Sequence, residues 1–474
     1  MLSSPKLFYQ SLLLCSLFFL LFFRSGIALR ISGDFDERCY LANAERLVGI
    51  SSSSCEGKSH FPGVGILWFP AAVMGRGVAV LLSESPEDWI AAFSGFSSFL
   101  MWCLTLFLIQ RIALIYTSPD KKSSNSLKSA PFVLSLILLL NIPSFYFSFA
   151  RTLMAHSGEV FLSFLFIYLV LRNKALYSAL VLGLLILTRP NNFGAVLVYW
   201  AAFDPRNDRT AFKTSWGRPL FKAIKWMGLF IIVIGIVYFG FYKGYNGTFL
   251  VPSILNWNLE QVGLFFFRTD LGVVWNQTLW TTIFLFTYSK ITKLKPFQEA
   301  LLSWMTLSAF LTIFWPTSGS SFGYRYLLGS HAASVVLFLD LTVIYPAFFQ
   351  KFKKTIGFFL SVGALWALNT YWSSTAPPPF WPWQDPFLKS LSPPYWLIEN
   401  WWIRCSEMLR LIQFSSLGHI FCFFGVREPY LIFRGEPIPY FLDGNLKFFS
   451  LSLSFLALGV LLFSLFKLRQ MKLK

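Results

Sequence analysis

Three carboxylates stand close together shortly after the first long apolar stretch of the chain: Asp34, Asp36 and Glu37. A carboxylate held beside a hydroxyl can act as a general base, and neighbouring carboxylates can bind a divalent cation. A structural interpretation stays open, because Asp34 at the start of a helix and Glu37 three residues later would form a capping box. Capping does not require Asp36, so Asp36 is the strongest candidate for a catalytic base.

A further acid, Glu159, lies within an apolar stretch that predicts a helix over residues 153–171. This places Glu159 about 10 Å below the outer end of the helix, where a carboxylate is costly and indicates function. His156 shares its helical face. The alternative is that the membrane surface lies deeper and that Glu159 is interfacial. Asp340 also falls in an apolar helix; it has no obvious partner and is interpreted as structural.

Arginines supply the candidate substrate-binding groups. Arg325 and Tyr324 lie in a turn of small and aromatic residues, and Arg268 lies in a glycine-bounded aromatic segment, 263–272. The planar fork of arginine suits phosphate oxygens. An arginine that snorkels to the membrane interface beside tyrosines is the competing interpretation. His156 joins this candidate set through its proximity to Glu159.

The composition indicates what positions these residues. Of the 474 residues, 55% are hydrophobic and 13% are charged, whereas a soluble domain carries roughly 25% charged residues. About 20 apolar residues cross a bilayer as a helix. The pattern predicts an all-α polytopic membrane protein with about 12 transmembrane helices and interfacial helices in its outer loops. The predicted helices cover 7–23, 89–109, 132–149, 153–171, 175–187, 193–203, 226–242, 273–288, 300–315, 327–349, 356–372 and 448–466.

Two places in this layout allow alternatives. Helices 175–187 and 193–203 bracket the sequence Arg-Pro-Asn-Asn at 189–192 and could be one broken helix. The stretch 61–70 is interrupted by Pro and Gly, and we expect it to lie in the interface rather than to span. The first helix lacks a small-residue cleavage site and is predicted to be a retained anchor.

The layout makes residues 1–474 a single membrane-embedded domain. Its long outer segments are the first outer loop, 24–88, which carries the acidic motif, residues 243–272, and the last outer segment, 373–447. Tyr40, Leu41 and Ala44 recur at helical spacing and predict an amphipathic helix along the membrane surface.

Charge orients the chain. With a cytoplasmic N-terminus, the inner side collects most of the 40 Lys and Arg residues but few of the 22 acidic ones. This satisfies the positive-inside rule and predicts that both termini are cytoplasmic. The net charge of +18 therefore indicates contact with anionic membrane lipid, not with nucleic acid.

Four cysteines fall in outer loops. Cys39 and Cys55 share the first outer loop, and Cys405 and Cys422 share the last. Two pairs of this kind suit disulfides in an oxidising compartment, although unpaired thiols remain the alternative.

The chain resembles the GT-C superfamily of polyprenyl-phosphate-sugar glycosyltransferases, and within it the bacterial proteins like the dolichyl-phosphate-mannose protein mannosyltransferases. Asp36 and Glu37, with Tyr40 after them, resemble the family's acidic motif in the first outer loop. Glu159 resembles an acid of the second outer region. Segments 263–272 and 321–327 (SFGYRYL) are similar to a Gly-aromatic segment and an SFGxRYL turn. The chain departs from the family in the extra Asp34 and in the absence of a large soluble domain within 373–447, which leaves the acceptor open.

This resemblance implies an integral protein of the bacterial inner membrane that uses a polyprenyl-phosphate sugar donor. An outer-face carboxylate would deprotonate an acceptor hydroxyl, with inversion at the anomeric carbon, and Arg325 with Arg268 would hold the leaving phosphate. The acceptor, whether glycan, lipid or protein, is not specified, and a divalent metal ion is the one cofactor that the resemblance raises. A multi-pass transporter or lipid flippase is the alternative, with the break at 189–192 as its candidate site.

Overall fold

The structure is a computed structural model. It describes residues 5–23, 35–50, 62–116, 131–142, 144–149, 151–203, 262–263, 265–266, 273–313, 322–373, 420 and 444–472. All elements within these ranges are helices, and none of the described residues forms a strand. The all-α class predicted from the sequence is confirmed for this part of the chain.

The described α-helices are numbered in chain order. They are α1 (Pro5–Phe22), α2 (Phe35–Leu47), α3 (Gly63–Leu82), α4 (Pro86–Tyr116), α5 (Pro131–Leu140), α6 (Ser144–Phe149), α7 (His156–Leu171), α8 (Ala175–Thr188), α9 (Ala195–Phe203), α10 (Val273–Asn276), α11 (Thr278–Tyr288), α12 (Pro296–Ile313), α13 (His331–Ile344), α14 (Pro346–Ser373) and α15 (Gly444–Lys472). Three 3-10 helices connect them at Pro190–Gly194, Ile291–Lys293 and Phe322–Ser330.

Several of these helices suit a lipid bilayer. Four described stretches are long and apolar enough to cross a membrane: Gly63–Leu82, Pro86–Tyr116, Tyr326–Ile344 and Phe448–Met471. Shorter apolar helices occur at Phe8–Leu21, His156–Leu171 and Ala175–Thr188. The chain is therefore an α-helical membrane protein. The count of twelve spans stays a prediction, and the predicted helix 226–242 lies outside the described residues.

The structure corrects the expectation for the glycine-rich stretch after residue 60. Instead of a broken segment, it forms the continuous helix α3, with Pro70 inside it. Its place in the membrane interface stays a prediction. Gly65 and Gly75 allow close packing: a Cβ at Gly75 would stand 2.7 Å from the carbonyl oxygen of Trp89, and one at Gly65 would stand 2.9 Å from the Cβ of Asn43. Glycine thus lets α3 approach the backbone of α4 and the side chains of α2 without breaking the helix.

Other boundaries also differ from the predicted ones. The predicted helix 132–149 is two helices, α5 and α6, with Pro143 of the sequence between them. Proline cannot continue the hydrogen-bond ladder, which accounts for the break. The predicted helix 273–288 is divided at Gln277, and 327–349 begins as a 3-10 helix before α13. The pair 175–187 and 193–203 is confirmed as α8 and α9, separated by the 3-10 turn Pro190–Gly194.

One end of the bundle gathers the beginning of α1 and the ends of α4 and α15. Gln110 near the end of α4 donates to the Ser11 hydroxyl over 3.1 Å, and the rings of Tyr9 and Phe463 lie 5.9 Å apart. The start of α12 meets the last turns of α13, where the Gln298 amide donates to Asp340 Oδ2 over 3.3 Å. Asp340 thus has a polar partner, which corrects the expectation that it has none.

We call this the basic end, because cations predominate there. The described charged side chains at or next to these helix ends are Lys6, Arg111, Lys295, Glu299, Asp340, Lys351, Lys353, Lys354, Lys467 and Arg469. The opposite end carries the turn between α3 and α4, where Glu84 accepts from Asn445 at the start of α15 over 2.9 Å.

Candidate functional site

Helix α2 carries the acidic motif into the protein. The predicted helix is confirmed, but residues 39–45 are all buried, including Asn43 and Glu45, so α2 is enclosed by the protein over this stretch and does not expose a polar face there. Glu37 is fully buried and receives a bidentate contact from Arg151: Nε lies 2.9 Å from Oε1 and Nη2 lies 3.0 Å from Oε2. This fork is the strong geometry for an arginine and a carboxylate, and it ties α2 to the segment before α7.

The side chains of the other two acids of the motif lie outside the described residues. Asp36 lies in the first turn of α2, one turn before Tyr40, and its side chain is outside the described residues. Asp34 also lies outside them. The described contacts of the motif's helix with the site are those of Glu37 with Arg151 and of Tyr40 with Arg189.

Glu159 stands in the first turn of α7. The sequence predicted a helix beginning at residue 153 and a carboxylate deep inside it, but α7 begins at His156, so the axial depth expected from helix length is corrected. A carboxylate in the first turn interacts favourably with the helix dipole. Glu159 is nevertheless fully buried. Its Oε1 accepts from the Asn192 amide over 2.8 Å and from the Gly329 backbone N–H over 3.2 Å.

His156 links Glu159 to an arginine. Its Nδ1 lies 3.3 Å from Glu159 Oε2, and its Nε2 lies 3.1 Å from Arg189 Nη2. Arginine only donates, so Nε2 must accept and the ring proton sits on Nδ1, facing the carboxylate. The predicted face shared by His156 and Glu159 is confirmed, and the chemistry of the neighbours assigns the tautomer.

Arg189 was not selected as a site residue from the sequence, although the break that contains it was noted. It has an extended backbone, with φ −154° and ψ 109°, between α8 and the 3-10 turn, as expected for a residue that precedes proline. Its Nη2 also donates to the Tyr40 hydroxyl over 3.2 Å. Its Nε lies 3.7 Å from Glu159 Oε2. A charged residue at the junction of two apolar helices was the signal that could have identified it.

The segment Phe322–Ser330 is the fourth part of the site, after α2, α7 and the turn that begins at Arg189. Gly329 lies against the carboxamide of Asn192, where any Cβ would collide with it, and Tyr326 O accepts from Asn191 Nδ2. The Tyr326 ring centre is 5.2 Å from Arg189 Cζ, a cation–π contact. The indole of Trp280 donates to Ser330 over 2.9 Å and anchors the segment to α11.

Not every predicted site residue can be located. Tyr324 and Arg325 lie in the backbone of the 3-10 helix that ends at Ser330, and their side chains are outside the described residues. Arg268 lies outside them altogether. The structure therefore brings together Glu37, Glu159 and His156 among the predicted residues, and adds Arg151, Arg189 and Asn192.

Metal binding and disulfides can be examined only in the described part of the chain. There, no three His, Cys, Asp or Glu side chains form a group that could hold a metal ion; the carboxylates of Asp34 and Asp36 are not among the described groups. Cys39 is disulfide-bonded, with a partner outside the described residues. Cys15 and Cys103 are free thiols in α1 and α4.

Comparison with known proteins adds no family. No protein-family model matches the chain, and no curated protein matches it significantly.

Proposed function

We propose that this chain is a membrane glycosyltransferase that moves a sugar from a polyprenyl-phosphate donor to an acceptor hydroxyl at the outer face of the membrane. One observation carries the proposal. Helix α2, the start of α7 and the segment Phe322–Ser330, which the family resemblance points to separately, meet around the buried carboxylate of Glu159. These segments are far apart in sequence, and a shared site explains why each carries polar groups in an apolar chain.

In the proposed reaction, Asp36 accepts the proton of the acceptor hydroxyl. The resulting oxygen nucleophile bonds to the anomeric carbon while the bond from that carbon to the phosphate oxygen breaks, with inversion. The polyprenyl phosphate leaves with the electron pair of that bond. Arg325, one residue before the Tyr326 that contacts Arg189, is proposed to bind the phosphate with Tyr324 and Arg268, since charge develops there.

The described carboxylates suit a supporting part in this chemistry. Glu37 is engaged by the Arg151 fork, and Glu159 by Asn192, Gly329 and His156. Carboxylates with this many partners hold segments in place, so the proposal gives proton transfer to Asp36, with Asp34 as the competing base. A divalent metal is left open, and no step requires one.

We also propose the orientation in the bilayer, with the basic end and both termini in the cytoplasm of a bacterium. Helix α7 has 16 residues and rises about 24 Å from the site to the Arg172–Lys174 turn. Because the hydrocarbon core is about 30 Å thick, this depth suits a site near its outer boundary. Cysteines placed at Lys174 and Ser85, both exposed, test the orientation. Only Ser85→Cys should react with a membrane-impermeant thiol reagent added to intact cells or spheroplasts. Reaction of Lys174→Cys alone would refute the orientation.

The function is tested with purified protein and a polyprenyl-phosphate sugar, by following the release of free lipid phosphate. Asp36→Asn should lower turnover by about 100-fold or more, because it keeps the size of the side chain but cannot accept the proton. Thermal stability should stay nearly unchanged, since asparagine keeps the size of the side chain and an acceptor oxygen. Asp34→Asn is the matched control and should stay active.

Two results would count against this assignment. Loss of turnover in Asp34→Asn alone would move the base to Asp34. Release of no lipid phosphate by the wild-type protein, across donors that differ in sugar, would reject the enzyme.

A transporter or flippase is the second candidate, and the broken helix favours it. The 3-10 turn Pro190–Gly194 interrupts an α8–α9 pair beside the buried Arg189 and Glu159, and discontinuous helices with polar groups are typical of transport sites. Vesicles that contain the protein separate the two functions. Movement of the lipid-linked sugar across the bilayer without release of lipid phosphate would favour transport.

A further inference from the structure

We propose that Arg189 is a positioning residue that sets the relative placement of the acidic motif, the buried acid and the Phe322–Ser330 segment; this inference rests on the proposed function. Four contacts carry it. Arg189 reaches Tyr40 on α2 over 3.2 Å and His156 on α7 over 3.1 Å. It lies 3.7 Å from Glu159 and 5.2 Å from the Tyr326 ring centre.

The first step of the argument concerns α2. Tyr40 is buried and stands one helical turn after Asp36, so the two residues occupy neighbouring positions along one side of the helix. A bond from Arg189 to the Tyr40 hydroxyl therefore fixes the rotation of α2 about its axis at the turn that carries Asp36. Arg151 fixes the same helix through Glu37, but it does so from the segment before α7.

The second step concerns the phosphate side. The Arg189 guanidinium lies over the Tyr326 ring, and Tyr326 directly follows Arg325 in the chain. Asn191 and Asn192, from the turn that Arg189 begins, bind Tyr326 O and Glu159 Oε1. The same turn thus contacts the segment that carries Arg325 as well as the helix that carries Asp36.

The third step concerns the choice of arginine. The contacts with Tyr40 and His156 both come from the Nη2 atom of Arg189, and a lysine ammonium placed there could donate to both. Only the planar guanidinium can donate to them and stack on a ring at the same time. Tyr40 and His156 each accept a hydrogen bond from Arg189, and Tyr326 contacts it through its ring. The three residues belong to three different elements. Arg189 meets them from a break between two helices, where its backbone is extended.

Kinetics separate a positioning role from a purely structural one. In Arg189→Gln, kcat is expected to fall about 100-fold because proton acceptor and phosphate are misaligned, while the donor KM changes by less than about threefold. Arg189→Lys should recover part of kcat, since an ammonium can donate to Tyr40 and His156 but cannot stack on the Tyr326 ring. A rise in donor KM with unchanged kcat would overturn the inference.

Hydrogen exchange provides a readout that does not depend on activity. Arg189→Gln should accelerate amide exchange about tenfold both in α2 and over residues 326–330, because Arg189 contacts both segments. Glu37→Gln is the matched control: it breaks the other clamp on α2 and should accelerate exchange in α2 alone. Acceleration confined to only one of the two segments in Arg189→Gln would show a local pair and refute the inference.

A milder variant covers the case in which Arg189→Gln does not fold. Tyr40→Phe removes one hydroxyl, and it should accelerate exchange in α2 and lower kcat while residues 326–330 keep their wild-type exchange. Wild-type values for both exchange in α2 and kcat would refute the inference. If the wild-type protein releases no lipid phosphate, the proposed function fails, and the exchange pattern still decides whether Arg189 positions both segments.

Discussion

Two buried polar centres of this apolar protein provide hydrogen-bond partners for their buried groups in different ways. One surrounds Glu159, and the other is the single side chain of Asn141 at the break between α5 and α6. Asn141 is 1% exposed and Glu159 is 0% exposed. Asn141 donates to the carbonyl of Leu360 in α14 over 2.7 Å and accepts from the N–H of Leu279 in α11 over 2.8 Å.

The difference lies in charge and in the kind of partner. Leu279 is in the first turn of α11, where backbone N–H groups have no partner within the helix, so Asn141 caps that helix from a distance. A neutral amide satisfies two backbone groups and needs nothing else. The Glu159 centre instead joins charged and ionisable side chains. Each of these side chains requires a further hydrogen-bond or charge partner.

Desolvation makes the charged centre the costlier one. Apolar residues of similar volume often replace a buried ion pair without loss of stability. A charged centre at a helix break is therefore hard to explain by stability alone. The two hydrogen bonds of Asn141 are explained by stability. The comparison predicts that substitutions at Asn141 change stability only and that substitutions around Glu159 change both stability and activity.

The largest effect is expected for Glu159→Leu. This change removes the oxygen that accepts from Asn192 and from the Gly329 N–H, and it removes the carboxylate that lies 3.7 Å from Arg189 Nε. Unfolding free energy should fall by about 3–5 kcal/mol, measured by thermal or detergent-induced unfolding. Glu159→Gln keeps an acceptor oxygen and should lose less. Wild-type stability in Glu159→Leu would show that the network is not coupled to folding.

An intermediate effect is expected for Asn141→Leu. The Leu279 N–H would be buried without a partner, and the Leu360 carbonyl would lose one, which should lower unfolding free energy by about 2–3 kcal/mol. The folded fraction should keep the wild-type kcat and donor KM. Ser135→Ala in α5 is the control: its hydroxyl donates only to Phe132 O, 2.9 Å away in the same helix. If Asn141→Leu lowered kcat per folded molecule, the separation between the two centres would be wrong.

The smallest effect is expected for Gly329→Ala. The added Cβ would displace the Asn192 carboxamide and so weaken its bond to Glu159, at about 1–2 kcal/mol for a local overpacking. Turnover should fall with it, because Asn192 belongs to the charged centre. Gly357→Ala in α14 is the control, since a Cβ there meets nothing within 4 Å. A helical alanine at that site should leave stability equal or slightly higher.

The two centres also differ in how far the sequence could predict them. Glu159 and His156 were identified because a charged residue in an apolar stretch is conspicuous and because residues three apart share a helical face. Asn141 was not identified, since one asparagine between apolar residues gives no local sign of partners far away in the chain. Arg189 lay in a break that the sequence did predict, but its four partners come from three separate elements.

By itself, the sequence determined the helical class and the membrane environment, because hydropathy and the spacing of apolar residues act within about 20 neighbouring positions. It also determined the break at 189–192, since proline limits its own residue and the one before it. Tertiary structure alone decided that α3 is one continuous helix, in which Gly63, Gly65 and Gly75 lie where a Cβ would meet neighbouring elements. Tertiary structure also decided that Arg151 binds Glu37 and that Arg189 joins Tyr40, His156 and Tyr326. A buried charge requires partners in the folded protein. Distance in space, not spacing in sequence, determines which residues can be those partners.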